Sequence, residues 1–133
     1  MSRKPSTICV VDDEPSVCKA LRRLMVSAGF NVTTYGSARA FLDDNRAEAP
    51  DLLILDVRMP GMDGLDLHRH LVAAGSKIPI VFISAHESSI VQASAMEAGA
   101  VAFFLKPVDE ADLLGAIHKA LAGAYQSEPV VNG

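Results

Sequence analysis

Five polar side chains stand at the ends of short apolar runs in the sequence. An acidic pair follows TICVV at 7–11, one acid follows LLIL at 52–55, a serine ends IPIVFIS at 78–84, and a lysine follows VAFFL at 101–105. In chain order they are Asp12, Asp13, Asp56, Ser84 and Lys106. Carboxylates, a hydroxyl and an ammonium are groups that can hold a divalent cation and a phosphoryl group, provided that the fold brings them together.

The apolar runs themselves indicate how these residues meet. The four runs are nearly continuous in apolar residues, which predicts strands covered on both faces, as in a parallel sheet. A fifth run, NVTTY at 31–35, is more polar and predicts an edge strand. The carboxyl ends of parallel strands share one edge of the sheet, where ligands of open α/β sheets bind. If the first and third strands are neighbours, Asp12, Asp13 and Asp56 converge there.

Helical patterns alternate with the strands. Pro15 suits the first helical position, and Asp12 or Asp13 is expected to cap that helix. Ser37 and Asp109 precede two others, and three helices are predicted to end in the same dipeptide: Ala28-Gly29, Ala74-Gly75 and Ala98-Gly99. Five strand–helix units in sequence imply a doubly wound α/β domain. We assign this domain to residues 1–122, and residues 123–133, which lack periodicity, to a flexible tail or linker.

Composition excludes several classes of protein. The chain of 133 residues has a net charge of −4 and no cluster of Lys or Arg, so direct nucleic-acid binding is not expected. No apolar run approaches the roughly 20 residues that span a bilayer. The amino terminus has no signal-peptide pattern, which predicts a cytoplasmic protein. Cys9 and Cys18 lack the spacing of a metal or redox pair and are interpreted as reduced, packed side chains.

If the three acids at the strand ends share one pocket, a cation is expected among them. Three carboxylates in one pocket repel one another, and their oxygens, with no His or Cys nearby, favour Mg²⁺. Asp56 would then be a carboxylate nucleophile that forms an aspartyl phosphate, with Lys106 and Ser84 contacting the phosphoryl oxygens. Each residue taken alone has a simpler interpretation, such as a helix cap, a turn residue or a solvated strand end. Their joint occurrence at four strand ends argues against that interpretation.

The motifs VVDDEP, LLILDVRMPGMDG, VFISA and FFLKP, in this order, resemble the response-regulator receiver domain of two-component signalling. The resemblance covers about residues 6–122. It implies a flavodoxin-like (CheY-like) fold: an α/β domain with five parallel strands in the order 2-1-3-4-5 and five helices.

The resemblance also implies roles for individual residues. Asp56 would be the phosphoacceptor, and Mg²⁺ would bind Asp13, Asp56 and the backbone carbonyl of Arg58, with Asp12 acting through a water. Ser84 and Lys106 would contact the phosphoryl group. Ser84 and Phe103 would be the switch residues. Pro107 would follow a cis peptide bond.

By the same resemblance, a sensor histidine kinase or histidine phosphotransfer protein would phosphorylate Asp56. The surface of the fourth helix, fifth strand and fifth helix would then act on an output protein or domain. The motifs are most similar to receivers of LuxR/FixJ-type transcription regulators, and a free-standing regulator acting by protein binding is the alternative. A phosphorylation-dependent homodimer is compatible with either.

Two other functions fit the sequence less well. A magnesium-dependent aspartyl-phosphate phosphatase would need an acid two residues after the nucleophile, where this chain has Arg58. We therefore do not expect an enzyme, beyond assistance to the domain's own phosphorylation and dephosphorylation. A flavodoxin-type FMN carrier would need a hydroxyl-rich loop after the first strand, where DDEPS would repel phosphate.

Overall fold

A computed structural model of the chain describes residues 5–46 and 48–126. The strands are β1 (Thr7–Val11), β2 (Asn31–Tyr35), β3 (Leu52–Asp56), β4 (Ile80–Ser84) and β5 (Ala102–Leu105). The helices are α1 (Pro15–Ser27), α2 (Ala38–Asp43), α3 (Gly64–Ala73), α4 (Ser89–Glu97) and α5 (Glu110–Gln126). Strands and helices alternate along the chain as the sequence predicts.

The sheet is parallel throughout, with the order β2-β1-β3-β4-β5. This confirms the predicted order and makes β1 and β3 neighbours. Asp56 lies opposite Ile83, and Ser84 lies opposite Leu105. The carboxyl ends of the strands are therefore level, and the residues that follow them emerge at one edge.

Alternate strand residues enter two hydrophobic cores, one on each face of the sheet. The core under α2, α3 and α4 includes Val11, Leu55, Phe82, Phe41 and Leu67. The core under α1 and α5 includes Val10, Ile54, Ile83, Met25 and Ile117. The near-continuous apolar runs of β1, β3 and β4 arise because both of their faces are covered.

Two strands differ from their predicted form. β4 begins at Ile80 rather than at residue 78; Pro79 has no backbone N–H for the ladder, although its carbonyl accepts from the Leu53 N–H at 3.0 Å. β5 is only half-buried, with Leu105 42% exposed, because it is an edge strand like β2. Its apolar sequence wrongly predicted cover on both faces.

The helix ends follow local chemistry, with one correction. Ser37 caps α2 and accepts from the Ala40 N–H at 3.0 Å, and Asp109 accepts from the Asp112 N–H at 2.9 Å, as predicted. The first helix is different, because its N-cap is Glu14, whose side chain makes no capping hydrogen bond. Neither Asp12 nor Asp13 caps α1, so that expectation was wrong. Asp12 Oδ1 instead accepts from the Glu14 N–H at 2.8 Å.

Three helices end as the Ala–Gly dipeptides predict. Gly29, Gly75 and Gly99 have φ values of 93°, 83° and 105°, a backbone conformation that favours glycine. Helix α5 continues through Gln126, past the predicted boundary at 122, and residues 127–133 of the predicted tail lie outside the described residues. Within the described part of the chain, none of the helices is long and apolar enough to cross a membrane.

Candidate functional site

Two neighbouring strands place the acids. Asp12 leaves β1 with its N–H bonded to the Tyr35 carbonyl at 3.1 Å, so its backbone is held by β2. Asp56 is the last residue of β3, and the following Val57 N–H bonds to the Ile83 carbonyl at 2.9 Å. Sheet hydrogen bonds thus hold the backbones of Asp12 and Asp56 at this edge.

Asp12, Asp13 and Asp56 form one cluster, with a carboxylate oxygen of each lying within 4.8 Å of the others. Asp12 and Asp56 are 0% and 2% exposed, while Asp13 is exposed. Asp12 Oδ2 is buried and lies 2.9 Å from Lys106 Nζ. A cluster of three carboxylates, which supply hard oxygen ligands and open to solvent at Asp13, fits a Mg²⁺ ion.

Lys106 extends from the end of β5 into the same cluster. Its Nζ lies 2.8 Å from Glu14 Oε1, 2.9 Å from Asp12 Oδ2 and 3.6 Å from Asp56 Oδ1. Burial alone would lower the pKa of Lys106, but the contacts with Glu14 and Asp12 outweigh it and raise that pKa. Lys106 therefore stays protonated and positively charged beside Asp56. The Lys106–Pro107 peptide bond is cis.

The environment of Asp56 disfavours its ionised form. Burial is the largest cause and the Asp12 carboxylate the next, and together they raise the pKa of Asp56 to about 7, although Lys106 opposes them. Ionisation of Asp56 therefore costs free energy in the fold, and a bound cation would offset that cost.

Because the fold disfavours ionised Asp56, the free energy of unfolding should depend on pH. Because the pKa of Asp56 is about 7 in the fold and 3.8 ordinarily, the native state binds more protons between these values, and stability falls as the pH rises through that window. With EDTA present, Asp56→Asn should raise the free energy of unfolding by about 1–2 kcal/mol at about pH 8 and by roughly half of that or less at about pH 5, which lies within the window. Urea denaturation at both values measures the difference.

The control for this measurement is Asp43→Asn, because Asp43 is exposed at the end of α2 and, among the described residues, pairs only with Arg39, at 3.8 Å. It should show little effect at either pH. Equal stability of wild type and Asp56→Asn at about pH 8 would contradict the account of a buried, unfavourable charge.

Ser84 ends β4, the strand next to that of Asp56, and Phe103 lies within β5; neither is part of the acid cluster. The Ser84 hydroxyl donates to the His86 carbonyl at 3.0 Å and accepts from the His86 N–H at 3.1 Å. Phe103 is half-buried on β5, with its ring centroid 6.5 Å from that of Phe82. Ser84 is held near the cluster through its backbone, since its carbonyl accepts from the Lys106 N–H at 2.8 Å.

Arg58 is exposed in the loop after β3, two residues beyond Asp56. The predicted role of its carbonyl as a metal ligand remains a prediction. Sequence reasoning missed Glu14, which contacts Lys106 across 92 positions of the chain. The only sequence signal was an additional acid directly after the Asp12-Asp13 pair.

Sequence reasoning also missed Gly64, the first residue of α3. Its N–H donates to the Val57 carbonyl at 2.8 Å. A Cβ at this position would lie 2.1 Å from the Asp56 carbonyl oxygen, so α3 can approach β3 this closely only with glycine here. The motif MDG could have indicated it, although the same motif is common at ordinary turns.

Comparisons with known proteins agree with this geometry. The family model described as a response regulator receiver domain matches residues 8–118. The response regulator protein TmoT of Ectopseudomonas mendocina is 48% identical over 128 residues, covering 96% of this chain and 58% of TmoT. The transcriptional regulatory protein FixJ of Bradyrhizobium diazoefficiens is 37% identical over 122 residues, covering 92% of this chain and 58% of FixJ.

Solved structures are similar as well. The response regulator StyR matches with a TM-score of 0.83 and 46% identity, over 94% of this chain and 64% of the StyR chain. The FixJ-N structure matches with a TM-score of 0.81 and 35% identity, over 92% of this chain and 96% of that one. The chain thus spans a little over half the length of TmoT and FixJ. It belongs to the response regulator receiver domains of two-component systems.

Proposed function

We propose that this receiver domain accepts a phosphoryl group on Asp56 from a phosphohistidine. The observation that carries the proposal is the convergence on Asp56 of a carboxylate cluster and an ammonium. The oxygens of Asp12, Asp13 and Asp56 lie within 4.8 Å of one another, and Lys106 Nζ is 3.6 Å from Asp56 Oδ1. Phosphoryl transfer depends mainly on positioning and charge stabilisation, and this edge of the sheet supplies both.

In the proposed step an Asp56 carboxylate oxygen attacks the phosphorus. The O–P bond forms while the N–P bond of the phosphohistidine breaks, and the electron pair of that bond stays on the imidazole, which takes a proton from solvent. Lys106 stabilises charge on the phosphoryl oxygens, and the sheet hydrogen bonds hold Asp56 in line. The histidine would come from a sensor histidine kinase or a histidine phosphotransfer protein.

Asp13, Asp56 and the Arg58 carbonyl would hold Mg²⁺ directly, and Asp12 would act through a water. The bound cation would neutralise the carboxylates and bind a phosphoryl oxygen. Its binding would also offset the burial cost that raises the pKa of Asp56.

Phosphorylation would be propagated by Ser84 and Phe103. Ser84 would release the His86 backbone and turn toward the phosphoryl group, and Phe103 would repack against Phe82. Phe103 has no hydroxyl to hold either state, so packing alone would set the equilibrium. The responding surface is α4, β5 and α5, where Ile90 is 81% exposed.

The output is proposed by analogy with the relatives. FixJ is described as a transcriptional regulatory protein, so control of transcription through a separate or continuing domain is the favoured output. A free-standing regulator that binds another protein is the second candidate, and a phosphorylated homodimer is compatible with both. In either case we place the domain in the cytoplasm and expect no direct contact of residues 5–126 with nucleic acid.

The proposed function is tested by small-donor phosphorylation. Acetyl phosphate with Mg²⁺ should add one phosphoryl group to the chain, and the same reaction with excess EDTA should add none. Intact-mass spectrometry measures the uptake. A folded wild-type chain that gains no phosphoryl group with Mg²⁺ present would overturn the proposal.

The metal site has its own test in Asp13→Asn. Asp13 is the exposed member of the cluster, so its removal should leave the core intact. Mg²⁺ affinity, followed by calorimetric titration, should fall at least roughly tenfold, because even indirect partners of a metal site have effects of this size. Asp43→Asn is the control and should bind Mg²⁺ like the wild type. An unchanged affinity in Asp13→Asn would remove Asp13 from the site.

A further inference from the structure

Glu14 has no assigned role in the proposed chemistry, yet it makes the shortest contact of Lys106. Lys106 Nζ is 2.8 Å from Glu14 Oε1, against 2.9 Å from Asp12 Oδ2 and 3.6 Å from Asp56 Oδ1. We propose that Glu14 is a displaceable counterion of Lys106, which competes with the phosphoryl group on Asp56 for the ammonium. The inference rests on the proposed function and concerns how that site is regulated.

The competition follows from the geometry of the ammonium. An ammonium has three N–H donors and no acceptor. One donates to Glu14, and another faces Asp12. The distance of 3.6 Å to Asp56 is too long for a hydrogen bond, so Lys106 is drawn toward Glu14. To bind a phosphoryl oxygen on Asp56, the ammonium must move toward Asp56 and weaken its contact with Glu14.

Of the two close partners, Glu14 is the one that can yield. The Asp12 side chain is 0% exposed and the Lys106 side chain 12%, so the contact between them is shielded from water. The Glu14 side chain is 54% exposed and can move into solvent at little cost. Its backbone stays in place, because the Glu14 N–H donates to Asp12 Oδ1 at 2.8 Å.

Charge acts in the same direction. Glu14 lies outside the group of three acids that could hold a metal ion. Beside Lys106 it adds a negative charge to those of Asp12 and Asp56, and a phosphoryl group on Asp56 would bring more. Repulsion between Glu14 and the phosphoryl oxygens adds to the competition for the ammonium. Glu14 should therefore hold Lys106 in place before phosphorylation and weaken its contact with the phosphoryl group afterwards.

The test is Glu14→Gln, which keeps the length of the side chain and removes its charge. Beryllium fluoride, a phosphoryl mimic that binds a carboxylate, is titrated into the protein with saturating Mg²⁺ and followed by fluorine NMR. The affinity should rise about two- to fivefold, the size expected for a partly exposed ion pair. Glu97→Gln makes the same charge change at the exposed end of α4 and should have the affinity of the wild type.

A change of ionic strength shows whether Glu14 competes electrostatically for Lys106 or has only a structural role. At about 1 M salt the screening length is about 3 Å, so the difference between wild type and Glu14→Gln should be smaller than at low salt. An affinity in Glu14→Gln equal to or below that of the wild type would overturn the competition, and so would a difference that salt does not reduce. A folded wild type that binds no beryllium fluoride would instead remove the proposed function, and the competition with it.

Discussion

Asp56→Asn should abolish phosphoryl uptake from acetyl phosphate while the fold stays intact. The amide has nearly the shape of the carboxylate, but it lacks the negative oxygen that attacks phosphorus and binds the cation. No other acid in the cluster can substitute for Asp56. Asp12 is fully buried and bonded to the Glu14 N–H, and Asp13 is exposed to solvent without a contact to Lys106 among the described residues.

Intact-mass spectrometry of wild type and variant, with Mg²⁺ in both, measures this effect. Asp43→Asn on the surface of α2 is the matched control and should accept one phosphoryl group like the wild type. Near-ultraviolet and far-ultraviolet circular dichroism should show that Asp56→Asn is folded. Equal uptake by wild type and Asp56→Asn would place the phosphoacceptor elsewhere.

Gly64→Ala should lower the stability of the domain. Among the described glycines whose φ is not in the left-handed region, Gly64 is the one where an added methyl group should cost the most. Its Cβ would lie 2.1 Å from the Asp56 carbonyl oxygen and 3.1 Å from the Val57 Cα, both backbone atoms that no side-chain rotation can relieve. Either α3 or the end of β3 must move. The free energy of unfolding should fall by about 2–3 kcal/mol, the upper range for overpacking.

Gly115→Ala is the matched control, because this glycine lies within α5 and an added Cβ would meet no atom within 4 Å. Alanine favours a helix over glycine, so this variant should gain about 0.5–1 kcal/mol. Urea denaturation of both variants measures the contrast. A Gly64→Ala protein as stable as the wild type would mean that α3 does not need this close approach.

The backbone shift caused by Gly64→Ala should also affect the acid cluster around Asp56. The Asp56 carbonyl that meets the new Cβ belongs to the proposed phosphoacceptor itself. If β3 is what moves, the folded variant should accept a phosphoryl group more slowly than the folded wild type, because Asp56 is displaced. If α3 moves instead, the rate should be preserved. Phosphorylation under conditions where the variant remains folded distinguishes the two.

The sequence alone was sufficient for the architecture of this domain. Strand positions follow from runs of β-branched and apolar residues, and the polar residues at their ends are local features that any parallel sheet brings to one edge. The motifs and their resemblance to receiver domains then supplied the strand order, which the structure confirms. Helix ends at Ser37, Asp109 and the Ala–Gly dipeptides also depend only on nearby residues.

Features that depend on distant residues were decided only by the tertiary structure. The half-buried state of β5 follows from its place at the sheet edge, and the raised pKa of Asp56 follows from burial beside Asp12. The contact of Glu14 with Lys106 joins residues 92 positions apart. Local patterns determine which elements form and where they end. Burial, side-chain direction and ion pairing depend on which elements pack together, and these set the charge balance around Asp56.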